Sequence, residues 1–163
     1  MRNIQRVNRR IKHTIERIVK TYEIYEQILG KQIPLEILED ALAETEHLAI
    51  HEMAHAVIRL LFPEINTLEE ENITLGECID EIFARMLERY VSQKIGSSVH
   101  TFEEHVYELK HYTSMSDIEI KPEDLEKLYS KISKLLVGGD VESALLIVIN
   151  ECKKLVKNTE YSR

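Results

Sequence analysis

Apolar residues recur along this chain with a period near that of an α-helix, and no stretch alternates convincingly in twos. Ile4, Val7, Ile11, Ile18, Tyr22, Tyr25 and Leu29 keep 3/4 spacing, with Thr14 the one weak step, and Gly30 stops the run. This predicts a first helix of about 25 residues whose apolar seam wants a partner helix. Between Pro34 and Pro63 there is no Gly or Pro, and Leu35, Leu38, Leu42, Thr45, Leu48, Ile50, Ala54, Val57, Ile58 and Leu61 form a stripe. Pro34 suits a first helical position and Pro63 ends the pattern, which predicts one long helix or two in line. Residues 64–75 are acidic and read as a loop. A helix carrying Glu81 follows, to about Ile95, where Gly96-Ser97-Ser98 breaks it. Thr101-x-x-Glu104 is a capping box opening a helix through Phe102, Val106 and Leu109. Pro122 opens the next, with Leu125, Leu128, Ile132, Leu135 and Leu136 inward and Gly138-Gly139 at its end. Asp140 caps the last, whose stripe is Val141, Leu145, Val148, Cys152 and Leu155. The expected fold is all-α, about six helices in one bundle-like domain. Residues 1–117 are expected to form the helical core and residues 118–163 a C-terminal helical hairpin packed on it.

The second stripe contains His51-Glu52-Met53-Ala54-His55, an H-E-x-x-H pattern. Residues four apart lie one above the other on a helix, so His51 and His55 can offer imidazoles to one metal ion. Glu52 sits roughly 100° round from His51, within reach of a metal-bound water without being a ligand. Such a helix holds zinc with two histidines and uses its glutamate as general base. His47 shares the face, but eight residues span about 12 Å, too far for His47 and His55 to bind one ion. Only the second pair has Glu directly after its first His. A catalytic zinc also needs a third protein ligand and an open position. Glu77, Glu81 and Glu88 share one face of the following helix and are the candidates.

H-E-x-x-H followed on a second helix by Glu81-x-x-Ala84-Arg85 resembles the gluzincin metallopeptidases, most of all their small soluble archaeal members, the minigluzincins. The resemblance runs from Leu48 to Glu88. It implies a Zn2+ ion held by His51, His55 and Glu81, with Glu52 as the catalytic base, and Ala84 as the small residue that lets the two helices approach. It implies hydrolysis of a peptide or protein substrate, in a cleft that a terminal segment or neighbouring subunit can fill. On this reading Glu81→Ala lowers zinc affinity sharply, whereas Glu77→Ala and Glu88→Ala do not. Many gluzincins have an Asp where Arg85 stands, which orients a zinc-bound His; Asp80, Glu44 or a backbone carbonyl is expected to serve instead. The family's small β-sheet before the active-site helix has no counterpart in the periodicity here.

Composition narrows the alternatives. At 44% hydrophobic and 31% charged, the 163 residues suit a folded, helix-rich domain. No apolar run is long enough for a membrane span, and no leader pattern precedes the first helix, so a membrane partner is not expected. Cys78 and Cys152 form no C-x-x-C pair, and a reducing, cytoplasmic setting is the expectation; Cys78 reads as a small buried residue. Residues 1–20 hold seven Lys/Arg against one Glu, while the remainder holds 14 basic and 28 acidic side chains. An acidic body offers the basic helix an intramolecular partner, so nucleic-acid binding is not expected; the apolar seam of that helix makes it a possible homo-oligomer contact. A carboxylate-bridged di-iron bundle is the alternative chemistry. It would use Glu52-x-x-His55, Glu108-x-x-His111, Glu23 or Glu26, and Glu77 or Glu81. A non-catalytic interaction module that keeps the motif is a third reading. His105, His111, Tyr107 and Tyr112 can supply an oxyanion donor but read more simply as surface residues of a capped amphipathic helix; His13 and His100 read as solvent-exposed.

Overall fold

A computed structural model describes residues 2–161. Among them every element is α-helical: α1 (Arg2–Leu29), α2 (Leu35–Leu42), α3 (Glu46–Leu61), α4 (Ile65–Glu71), α5 (Ile73–Ile95), α6 (Phe102–Tyr112), α7 (Pro122–Val137) and α8 (Val141–Tyr161). The all-α expectation holds, and the eight helices exceed the expected six for two local reasons. Thr45 adopts extended backbone (φ −68°, ψ 156°) as the N-cap of α3, a position that suits threonine, and this divides the Pro34–Pro63 segment into α2 and α3. The acidic stretch expected as a loop contains α4, because Ile65 is fully buried and Leu68 packs on the core three residues later. Asn72 then caps α5 by accepting from the backbone N–H of Leu75.

Helix α5 is the axis. Cys78, Ile79, Ile82, Phe83, Ala84, Met86, Leu87, Tyr90 and Val91 are all buried, so it has no broad solvent face. It packs against α1, α3 and α4 and against α6, α7 and α8. Each fully buried large apolar side chain here contributes about 1.5–3 kcal/mol of hydrophobic stabilisation. Gly96, left-handed at φ 72°, ends it, a conformation glycine adopts without a Cβ penalty. Tyr25 of α1 is fully buried and donates its hydroxyl to the Ile50 carbonyl of α3 at 2.9 Å, fixing α1 across the metal-motif helix. The first half of α1 has no such partner: Ile4, Val7, Ile11 and Ile15 are between 44% and 67% exposed. The expected stripe of α2 and α3 is inward at Ile50, Ala54, Val57 and Ile58, but Leu35, Leu42 and Leu48 face outward.

Gly76 sets how closely α4 approaches α5. A Cβ there would lie 2.6 Å from Cγ and 2.7 Å from Cα of Glu69, and backbone cannot yield as a flexible side-chain tip does. Gly76→Ala is therefore expected to destabilise the fold by about 1–3 kcal/mol, the range for overpacking, measured by urea denaturation. A neutral result would mean that α4 is free to slide on α5.

Candidate metal centre

The α3–α5 contact brings the ligand candidates together. His51 and His55, one turn apart on α3, turn their Nε2 atoms to within 3.1 Å of each other. Glu81 of α5 stands opposite, Oε1 being 3.5 Å from His55 Nε2 and Oε2 4.0 Å from His51 Nε2. Four ligands about 2.0–2.1 Å from zinc at tetrahedral angles lie roughly 3.3–3.4 Å apart, close to this spacing.

The histidine tautomers follow from what holds the other ring nitrogens. His55 Nδ1 lies 2.7 Å from Asp80 Oδ1, and His51 Nδ1 lies 3.1 Å from Glu88 Oε2. A carboxylate can only accept, so each Nδ1 carries the proton and donates. Both Nε2 lone pairs then point at one another beside the Glu81 carboxylate. Three lone-pair donors converging on one point repel unless a cation, or an added proton, sits among them. Side-chain exposures of 19% for His51, 15% for His55 and 23% for Glu81 leave one side open to an incoming ligand.

The outer groups are ordered in the same way. Arg85, 4% exposed, donates through Nη1 to Glu81 Oε2, leaving Oε1 toward His55. Arg85 thus orients the Glu81 carboxylate, the candidate ligand, and not a histidine. Of the acceptors considered, Asp80 is the one that holds His55, and its second oxygen takes a 3.1 Å hydrogen bond from Arg59 Nη2. Burial raises the Asp80 carboxyl, but the hydrogen bond and charge of His55 overcome this and hold it below its ordinary value. Its neighbour Glu69 is pushed up to about 7, by burial first and then by the bond and charge of Asp80. For His55 burial lowers the pKa, yet Asp80 and Glu81 raise it more, and the net shift is upward.

Glu88, a ligand candidate by spacing alone, is 3% exposed and anchors two histidines. Oε2 serves His51, and Oε1 lies 3.0 Å from His47 Nε2. Burial works against its ionised form, and the hydrogen bonds from His47 and His51 hold its carboxyl far below the usual range. The signal was legible in the spacing, since Glu88 lies two turns along the same face of α5 as Glu81. Glu77 accepts from the Ser114 backbone N–H at 2.7 Å, away from the histidines.

Glu52 is exposed. It lines a pocket of about 260 Å³ between α2 and α3 with Ile37, Asp40, Glu44, Leu48 and Ala56. Glu44, considered as a histidine acceptor, belongs to this pocket. The residues of the di-iron alternative are dispersed. Glu108 faces Arg85 and His100, whereas His111 is exposed and held by the Tyr107 carbonyl at 2.9 Å. Tyr107 and Tyr112 are on the surface as expected, and so is His13. Two histidines are not where the amphipathic pattern puts them: His105 is only 1% exposed, and His100 is half-buried. Cys78 and Cys152 are buried and free, Cys78 as expected. No described helix is long and apolar enough to cross a membrane. Comparison of the chain with protein-family models, with curated proteins and with solved structures finds no match.

Proposed function

We propose that the chain is a zinc-dependent peptide-bond hydrolase of gluzincin type. His51, His55 and Glu81 hold the ion, and Glu52 handles the proton. One observation carries the reading: two imidazole lone pairs and a carboxylate converge at 3.1–4.0 Å while buried carboxylates fix both Nδ1 protons outward. Such outer carboxylates are the usual supports of zinc-binding histidines, and they supply here what the family's aspartate supplies elsewhere. The α3–α5 pair corresponds to the motif helix and glutamate helix of a zincin. Zinc held by His51, His55 and Glu81 would supply the Lewis acidity that peptide hydrolysis needs. Glu52, next to His51 in sequence and exposed, would be the base that takes a proton from the attacking water and returns it to the leaving amine. Asp80 and Glu88 keep the histidines in the tautomer that presents Nε2, and Arg85 keeps Glu81 turned toward them. The test is elemental analysis of purified protein joined to peptide-library cleavage by wild type and Glu52→Gln.

A metal-bearing interaction module without catalysis is the second reading. The observation that favours it is the lack of any strand among the described residues to hold an extended peptide. The exposed Ile4–Ile15 stripe, flanked by basic residues, supports self-association through α1 in either case.

A further inference from the structure

Arg85 holds two carboxylates. Nη1 donates to Glu81 Oε2, and Nη2 lies 3.5 Å from Glu108 Oε2. In each carboxylate the remaining oxygen faces imidazole. Glu81 Oε1 is turned to His55. Glu108 Oε1 lies 2.8 Å from His100 Nδ1 and 3.5 Å from His105 Nδ1. The arrangement of two histidines and one guanidinium-held glutamate therefore occurs twice, once on each side of Arg85. Ligand atoms of His100, His105 and Glu108 all lie within 4.8 Å of one another.

His105 is the independent observation. At 1% exposure neither of its ring nitrogens makes a hydrogen bond. A buried imidazole keeps no water shell, so an unsatisfied one is retained at a cost unless a partner binds it. The local chain is built to aim it at Glu108. The Thr101–Glu104 capping box fixes where α6 begins, and His105 and Glu108, three residues apart, then share one face of the helix. Just before the cap, Arg89 Nη1 donates to the His100 carbonyl at 2.6 Å, and the Arg89 guanidinium lies 3.9 Å over the Phe102 ring. His100 is further fixed by stacking on His47, with ring centroids 4.2 Å apart.

We infer that His100, His105 and Glu108 form a second cation site, for a late first-row divalent metal such as zinc. Two imidazoles and a carboxylate suit zinc, copper or nickel and do not suit calcium or magnesium, which take oxygen ligands. Zinc at these residues would tie the Gly96–Thr101 linker to α6 and would give the buried His105 Nδ1 a partner. The inference does not depend on the reading of the His51–His55–Glu81 centre, since the two groups share no ligand.

The test is zinc stoichiometry, measured by elemental analysis and by titration of chelator-stripped protein, with circular dichroism confirming that each variant remains helical. Wild type is expected to bind two zinc ions per chain, and the double variant His51→Ala/His55→Ala to keep one. In that background, His100→Ala and the isosteric Glu108→Gln are each expected to weaken the remaining ion at least about 100-fold, more than loss of an outer-shell partner does. His100 lies on a partly exposed linker, so its variant decides the matter if Glu108→Gln fails to fold. A double variant that holds no zinc overturns the second site, and so does one whose zinc is indifferent to both substitutions. One ion in wild type that vanishes with His51 and His55 sinks this site and leaves the first standing. One ion that survives that change and is lost in His100→Ala supports this site and sinks the first.

Discussion

Zinc binding at the α3–α5 centre is expected to fall by more than about 100-fold in Glu81→Ala, and by about 10–100-fold in Asp80→Asn and Glu88→Gln. The order follows from position. Among the described residues Glu81 is the only carboxylate whose oxygen faces the converging Nε2 atoms, at 3.5 Å from His55. Asp80 and Glu88 act through the rings they anchor, and their amides can still accept a hydrogen bond through oxygen, so their replacement loosens orientation without removing a ligand. Glu77→Ala is expected to leave affinity unchanged, because its carboxylate is engaged with the Ser114 backbone. Affinity in wild type should also fall as pH is lowered, because protons compete with metal for Nε2. The fall should begin above the ordinary histidine range, since His55 is shifted upward once Asp80 and Glu81 outweigh its burial. Isothermal titration of zinc into the five proteins, each at two pH values, checks the series. Equal losses for Glu81→Ala and Glu88→Gln would mean that Glu88 is a ligand and that the ion sits deeper between α3 and α5.

How much of this could be read from the sequence divides by range. The helices whose stripe is backed by a capping signal lie where periodicity places them: Gly30, Gly96, the Thr101–Glu104 box, Pro122 and Asp140 all fall at helix boundaries. α4 was hidden because its burial rests on Ile65 and Leu68 alone, among acids that suggest solvent. The outward Leu35 and Leu48 and the unpaired half of α1 show that periodicity predicts a helix without predicting whether its stripe finds a partner. The pairing of His51 and His55 with Glu81 followed from local spacing and the resemblance. The supports did not, because Glu88 serves His47 and His51 across an interhelical contact and Arg85 bridges Glu81 to Glu108. Only the crossing of α3, α5 and α6 brings those groups within reach. His105 was misplaced for a similar reason: a capped amphipathic helix gives two plausible faces for a histidine beside Val106, and packing chooses between them.

Glu52→Gln is expected to lower peptide hydrolysis by about 10²–10⁴ while zinc content stays unchanged, the range that general acid–base help supplies. The glutamine keeps the shape and polarity of the side chain but cannot take and return a proton. Structure argues that nothing else should change. Glu52 is exposed and makes no hydrogen bond or ion pair among the described residues, so neither the fold nor the His51–His55–Glu81 group depends on it. Its pocket is lined by the acidic Asp40 and Glu44 together with Ile37, Leu48, Met53 and Ala56, a surface suited to an apolar or basic side chain. Cleavage should be assayed on a broad peptide library at several protein concentrations, since self-association through α1 could close the cleft. Equal cleavage by wild type and variant would remove Glu52 from the mechanism. Loss of metal in Glu52→Gln would make Glu52 a ligand and not the base. Zinc bound in both, with no cleavage by wild type at any concentration, would count against hydrolysis and in favour of the metal-bearing interaction module.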